Sequence, residues 1–175
     1  MSRRLLKPVV RAIALRVLRV RSYFSPSSVE SLTSEPAIVC CNHVSLLDGV
    51  IVALASPVPL TFGVDTEFSR RNPISRFGMA GLAWMGFGEV VPVDGSSPFG
   101  IRGLAKALER GVSVMIFPEG RISDSGLPQH EQPGLQWLAR RSGVRVHRIR
   151  IVGAEQSRLF AKAGRHLWPS IRVIF

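Results

Sequence analysis

One pattern constrains this chain more than any other. Short apolar runs end in polar turns, and the turns lead into helical patterns. Ala37–Cys41 has no polar side chain on either face, so it reads as a buried strand. It runs into Asn42-His43-Val44-Ser45-Leu46-Leu47-Asp48, and residues 46–55 read as a helix. Residues 112–117 form a second strong strand, and Pro118-Glu119-Gly120-Arg121-Ile122-Ser123 follows. Further strands are expected at 59–64, 89–93, 144–152 and 171–175. Further helices are expected at 74–85, 98–110 and 134–141, with Pro98 in a first turn and Gly111 and Gly143 at helix ends. Residues 25–35 are polar, with Pro26 and several serines, and read as a loop. Strands alternating with helices predict an α/β fold, a central, largely parallel or mixed sheet flanked by helices. Ligands of such sheets gather at the carboxyl ends of the strands. Both polar turns fall there, which suggests one shared cleft.

The chain is 175 residues long and 46% hydrophobic, enough for one domain with a real core. Global disorder is excluded on that ground. Lys and Arg number 23 against 12 Asp and Glu, a formal charge of +11. Such a surface favours polyanions: anionic lipid, an acidic carrier protein or nucleic acid. Nucleic acid is the weakest of these, because no reading motif is present and Tyr23 is the one tyrosine. Cys40 and Cys41 are adjacent and lack metal-finger or CxxC spacing, so neither a disulfide framework nor a metal site is expected. A reducing compartment fits these two thiols.

The first 24 residues read as a basic amphipathic helix. Leu6, Val10, Ile13, Val17 and Val20 recur at helical spacing, with Arg4, Lys7 and Arg11 off that face. Pro8 is expected near the helix start. Arginines interrupt the apolar residues too often for a signal peptide or a span. Two readings stand: a helix packed on the core with a solvated basic side, or a helix in a membrane interface with its cations toward anionic headgroups.

The first turn carries a base and a carboxylate. Asp48 falls in the first turn of a helix, where the unpaired amides favour negative charge. The turn could return its carboxylate to His43. A carboxylate so placed fixes the imidazole tautomer, and the other ring nitrogen can then take a proton from a hydroxyl. A capping Asp beside a structural His is the plainer alternative. Ser45 lacks a Gly-x-Ser-x-Gly elbow and reads as a capping or turn residue. In the second turn Pro118 and Gly120 enforce a tight bend, and Arg121 can grip a phosphate with paired donors. A surface turn with a local ion pair is the alternative there.

Together, NHVSLLD and FPEGRIS resemble the glycerophospholipid acyltransferase family. The similarity runs from Ala37 onward. It is greatest to the acyltransferase domain of bifunctional 2-acylglycerophosphoethanolamine acyltransferase/acyl-carrier-protein synthetases, through Val91-Pro92-Val93-Asp94, Pro98 and Gly153-Ala154-Glu155. The resemblance implies an acyltransferase domain over 25–175, shortened at its C-terminus. It implies His43 as general base and Asp48 as its orienting partner. Glu119, Gly120 and Arg121, with Asn42 and Ser123, would form the substrate site. The donor would be acyl-CoA or an acyl carrier protein thioester, with no metal and no bound cofactor. The acceptor would be a lysophospholipid, lysophosphatidylethanolamine or 1-acylglycerol-3-phosphate. Gly95 stands where members acting on the phosphate monoester carry Arg, which favours a phosphodiester headgroup. Gln132 replaces a common basic residue, and His147-Arg148-Ile149 lacks the proline of the fourth motif. These departures keep a second hypothesis open, a catalytically silent membrane- or acyl-carrier-binding module. The expected location is peripheral, on the cytoplasmic face of a bacterial inner membrane.

Overall fold

The computed structural model describes residues 3–65, 73–93 and 99–175. Asp94, Gly95 and Pro98 lie outside them. Seven strands form one mixed sheet: β1 (Val20–Tyr23), β2 (Ala37–Cys41), β3 (Leu60–Asp65), β4 (Gly88–Val93), β5 (Val114–Ile116), β6 (Arg145–Val152) and β7 (Ile171–Ile174), in the order β1-β7-β6-β2-β5-β3-β4. From β6 to β4 all neighbours are parallel. β7 pairs antiparallel with β6, and β1 joins it in parallel. The expected α/β architecture is therefore present, in its mixed form.

The helices are α1 (Arg3–Val17), α2 (Pro26–Ser34), α3 (Asp48–Ala55), α4 (Pro73–Trp84), α5 (Phe99–Glu109) and α6 (Gly134–Ser142). The sheet separates two hydrophobic clusters. One contains Val39, Cys41, Ile51, Phe62, Ile149 and Ile151, with Ala14, Leu15 and Leu18 of α1 packed against it. The other contains Ile38, Cys40, Val114, Leu104, Leu135 and Leu138, from both sheet and helices. β2 is buried along its whole length, so its apolar residues alternate between both clusters.

The amino-terminal segment departs from expectation in three ways. It is not one helix. α1 ends at Val17, Arg19 takes a left-handed φ of 53°, and the chain then enters the sheet as β1. Arg19 is held there, since its carbonyl accepts from Ile171 N and its guanidinium donates to Trp168 O. Pro8 lies inside the helix rather than at its start. The polarity of α1 is also turned around. Lys7 donates to Gly86 O at 2.7 Å, and Arg11 donates to Ala55 O and Ser56 O at 2.7 and 2.6 Å. Those carbonyls lie at or just beyond the carboxyl ends of α4 and α3, where cations are favoured. The expected apolar face splits accordingly. Leu6 and Val10 turn partly inward, while Val9, Ile13 and Val17 are 51–58% exposed along the outer side.

Residues 26–34 are helical and not a loop. Ser25 caps α2, its Oγ accepting from Ser28 N, and Pro26 occupies the first turn. That pairing is a helix-start signal, here outweighed in the sequence by the run of serines.

Candidate active site

The carboxyl ends of β6, β2 and β5 lie side by side. β2 delivers Asn42 and His43, β5 delivers Phe117 to Arg121, and β6 delivers Gly153. Asp48 opens α3 and is fully buried. Its Oδ2 accepts from Val44 N at 2.6 Å and from Ser45 N at 2.7 Å. The same oxygen lies 3.0 Å from His43 Nδ1. An oxygen that already accepts two amides acts as an acceptor toward the ring, so Nδ1 is the protonated nitrogen. In the neutral ring Nε2 then carries the lone pair. The carboxylate thus fixes ring and loop together. His43 is only 13% exposed and stacks on Phe117, with centroids 4.0 Å apart and planes 16° apart. Ser45 is a turn residue, its Oγ accepting from Leu47 N two positions on, while α3 starts without a side-chain cap.

The two motifs meet directly. Ser123 N donates to His43 O at 2.8 Å, in addition to the stacking of His43 on Phe117. Ser123 is buried, and its Oγ donates to Leu127 O. Its side chain therefore closes a loop, and its amide joins the motifs. Asn42 is likewise a positioning residue in this structure. Its Nδ2 donates to Ile151 O at 2.9 Å, and its Oδ1 accepts from Ile151 N at 2.8 Å. A side-chain amide thereby extends the β2–β6 ladder one step beyond Cys41, just before His43.

Gly120 has a φ of 72°, a conformation that costs glycine little. Its amide donates back to Phe117 O, closing the turn. Glu119 is 6% exposed and accepts from Gln129 Nε2 at 3.2 Å. Arg121 is exposed, and its Nε donates to Gln129 Oε1 at 3.0 Å. Gln129 thus bridges the two charged residues of the turn. Nothing in its spacing marked it beforehand. Gly153 is the tightest point of the third turn, with a φ of 98°. A Cβ there would lie 2.2 Å from Ser170 O.

A small apolar pocket of about 20 Å³ opens beside this corner, lined in part by Ser45, Leu47, Ile51, Phe160 and Trp168. A larger groove of about 560 Å³ lies at the opposite, amino edge of the sheet, beside Glu35, Thr61 and Ser113. It touches none of the residues selected from the sequence. Among the described residues, no cluster of three His, Cys, Asp or Glu could hold a metal ion. Among them too, no helix is long and apolar enough to cross a membrane.

Comparison with known proteins fits this geometry. The family model described as Acyltransferase matches residues 23–152, and the chain belongs to that family. Its fold is that of a crystallised 1-acyl-sn-glycerophosphate (LPA) acyltransferase, PlsC, from Thermotoga maritima. The TM-score is 0.64 at 19% identity, over 98% of this chain and 68% of that one.

Proposed function

We propose that this acyltransferase transfers an acyl chain from a thioester to the free hydroxyl of a lysophospholipid. The observation that carries the reading is the His43–Asp48 pair, held against the Phe117–Arg121 turn at the carboxyl edge of the sheet. His43 Nε2 takes the proton of the hydroxyl as its oxygen attacks the thioester carbonyl. Asp48 balances the imidazolium that forms. The tetrahedral adduct collapses, expelling the thiolate, and the proton on His43 passes to the sulfur. No acyl-enzyme is required. Arg121, steadied by Gln129, is the phosphate contact, and Glu119 and Gly120 shape the glycerol end. The donor is acyl-CoA or an acyl carrier protein thioester, and no resident cofactor takes part.

The outward stripe of Val9, Ile13 and Val17 supports a peripheral membrane location on the cytoplasmic face. Trp168 continues it, its indole N–H bonded to Val17 O, and also lines the apolar pocket.

The test is acyl transfer in vesicles, with both donor types offered against a panel of lysophospholipids. Transfer to a phosphodiester acceptor such as lysophosphatidylethanolamine is the expected result. Thioester that is never consumed, by folded and vesicle-bound protein, would replace this reading with the silent binding module.

A further inference from the structure

The β6-β7-β1 half of the sheet has two unlike faces. Val20, Ile149, Ile151, Ile171 and Val173 point into the core cluster beneath α1. The alternate residues point the other way, and Arg21, Tyr23, Arg150, Arg172 and Ile174 are all exposed there. Register arranges them in two rows. Arg21 lies beside Arg172, which lies beside Val152; Tyr23 lies beside Ile174, which lies beside Arg150. Neighbouring strands are about 4.8 Å apart, so three guanidinium stems arise from a patch about 10 Å across. The three strands contain no acidic residue. Arg148, on the same face, is paired with Glu131, but no ion pair among the described residues involves Arg21, Arg150 or Arg172.

Like charges on neighbouring strands repel, and among the described residues no ion pair offsets these three. Arginine mixed with tyrosine and an aliphatic side chain is the composition of a protein interface. Carboxylates one helical turn apart sit about 5–6 Å from each other, close to the strand spacing. The outward stripe of α1 lies on the opposite face of the sheet. A bilayer against that stripe leaves the arginines facing water.

We propose that the Arg21, Arg150 and Arg172 face docks an acidic protein through carboxylates on one of its helices. We assign that protein as the carrier of the acyl thioester, which rests on the function proposed above. The position fits the assignment. Arg150 adjoins Ile151, whose backbone clamps Asn42 just before His43. A thioester on a flexible arm could reach the carboxyl edge from there.

The experiment compares wild type with the Arg21→Glu, Arg172→Glu double variant, and with the milder Arg→Gln pair. These side chains are exposed, so thermal unfolding serves as the control for folding. Binding of an acidic acyl carrier protein is titrated at low and moderate salt. Reversal is expected to weaken it about tenfold or more, the Gln pair less, and added salt is expected to weaken the wild type. In turnover, KM for the carrier-bound donor rises while KM for the CoA-bound donor stays unchanged. Carrier binding that depends on these arginines in a protein without transfer activity would support the docking face and sink the enzymatic reading. Three results would overturn the proposal: no carrier binding by wild type, equal loss with both donors, or loss confined to anionic vesicles or a DNA duplex.

Discussion

The His43 corner and helix α1 both use charged side chains to satisfy backbone groups at helix ends, but in opposite ways. At the corner, one carboxylate at the start of its helix serves two amides of the loop just before that helix and the histidine beside it. All partners lie within five residues. In α1, two cations serve carbonyls 44 to 79 residues away, at or beyond the ends of two other helices. The first arrangement fixes a geometry for chemistry. The second mounts a helix on the body and leaves one apolar stripe, Val9, Ile13 and Val17, outward. The difference separates a site whose residues must hold their positions from a surface that needs only its polarity.

Breaking the corner has the largest expected effect. Asp48→Ala strands two buried amides and releases the ring. Turnover is expected to fall about 10³- to 10⁴-fold, as when a catalytic histidine loses its orienting carboxylate. Asn42→Ala keeps the His43 and Asp48 side chains but removes the clamp on Ile151 that positions them. A misplacement of this kind costs about 10²-fold in turnover. Its two lost hydrogen bonds cost about 2 kcal/mol or more, a drop of roughly 5 °C in the melting temperature. Steady-state kinetics with a melting curve separates the two effects.

Two substitutions sharpen the contrast within α1. Ile13→Asp alters only the exposed stripe, so folding is expected to hold. Vesicle affinity is expected to drop about tenfold or more, from the apolar burial of one side chain. Arg11→Ala does the reverse. It removes charge-assisted bonds to Ala55 and Ser56, costing about 1.5–3 kcal/mol in denaturant unfolding. Burial pulls the Arg11 pKa below the usual arginine value, yet the group stays charged across the working range. Its contribution therefore persists at physiological pH. If Arg11→Ala lost vesicle binding while keeping full stability, the two sides of α1 would have been assigned the wrong way round.

The smallest effect concerns the core beside the site. Burial pushes the Cys40 thiol up to about 11. A raised folded pKa means that stability is fully present below the unfolded value near 9. It is lost as pH rises through about 11. Native-state alkylation at pH 8 is expected to be slow, and urea midpoints are expected to fall only above pH 9.

The sheet was legible because each strand is a short apolar run ending at a turn signal. β2 and β5 are the clear cases. His43 and Asp48 were legible for a related reason, since a turn fixes where a residue five positions on must lie. Asn42 and Ser123 lay within the quoted motifs, but their partners, Ile151 and His43, come from other strands. Local spacing says nothing of such partners. Gln129 was silent because the loop that carries it takes its shape from Pro118, Ser123 and Leu127. The inward turn of Lys7 and Arg11 was hidden for the same reason. A helical periodicity shows which residues share a face, but not that distant carbonyls wait beneath the basic one.

The central claim is that His43 is the base of an acyl transfer. The direct measurement is turnover of a lysophospholipid and an acyl thioester by His43→Ala, beside wild type and with near-UV circular dichroism to establish the fold. Loss of transfer by about 10³-fold or more in a folded, vesicle-binding variant is the predicted result. Transfer at the wild-type rate by that variant would contradict the account.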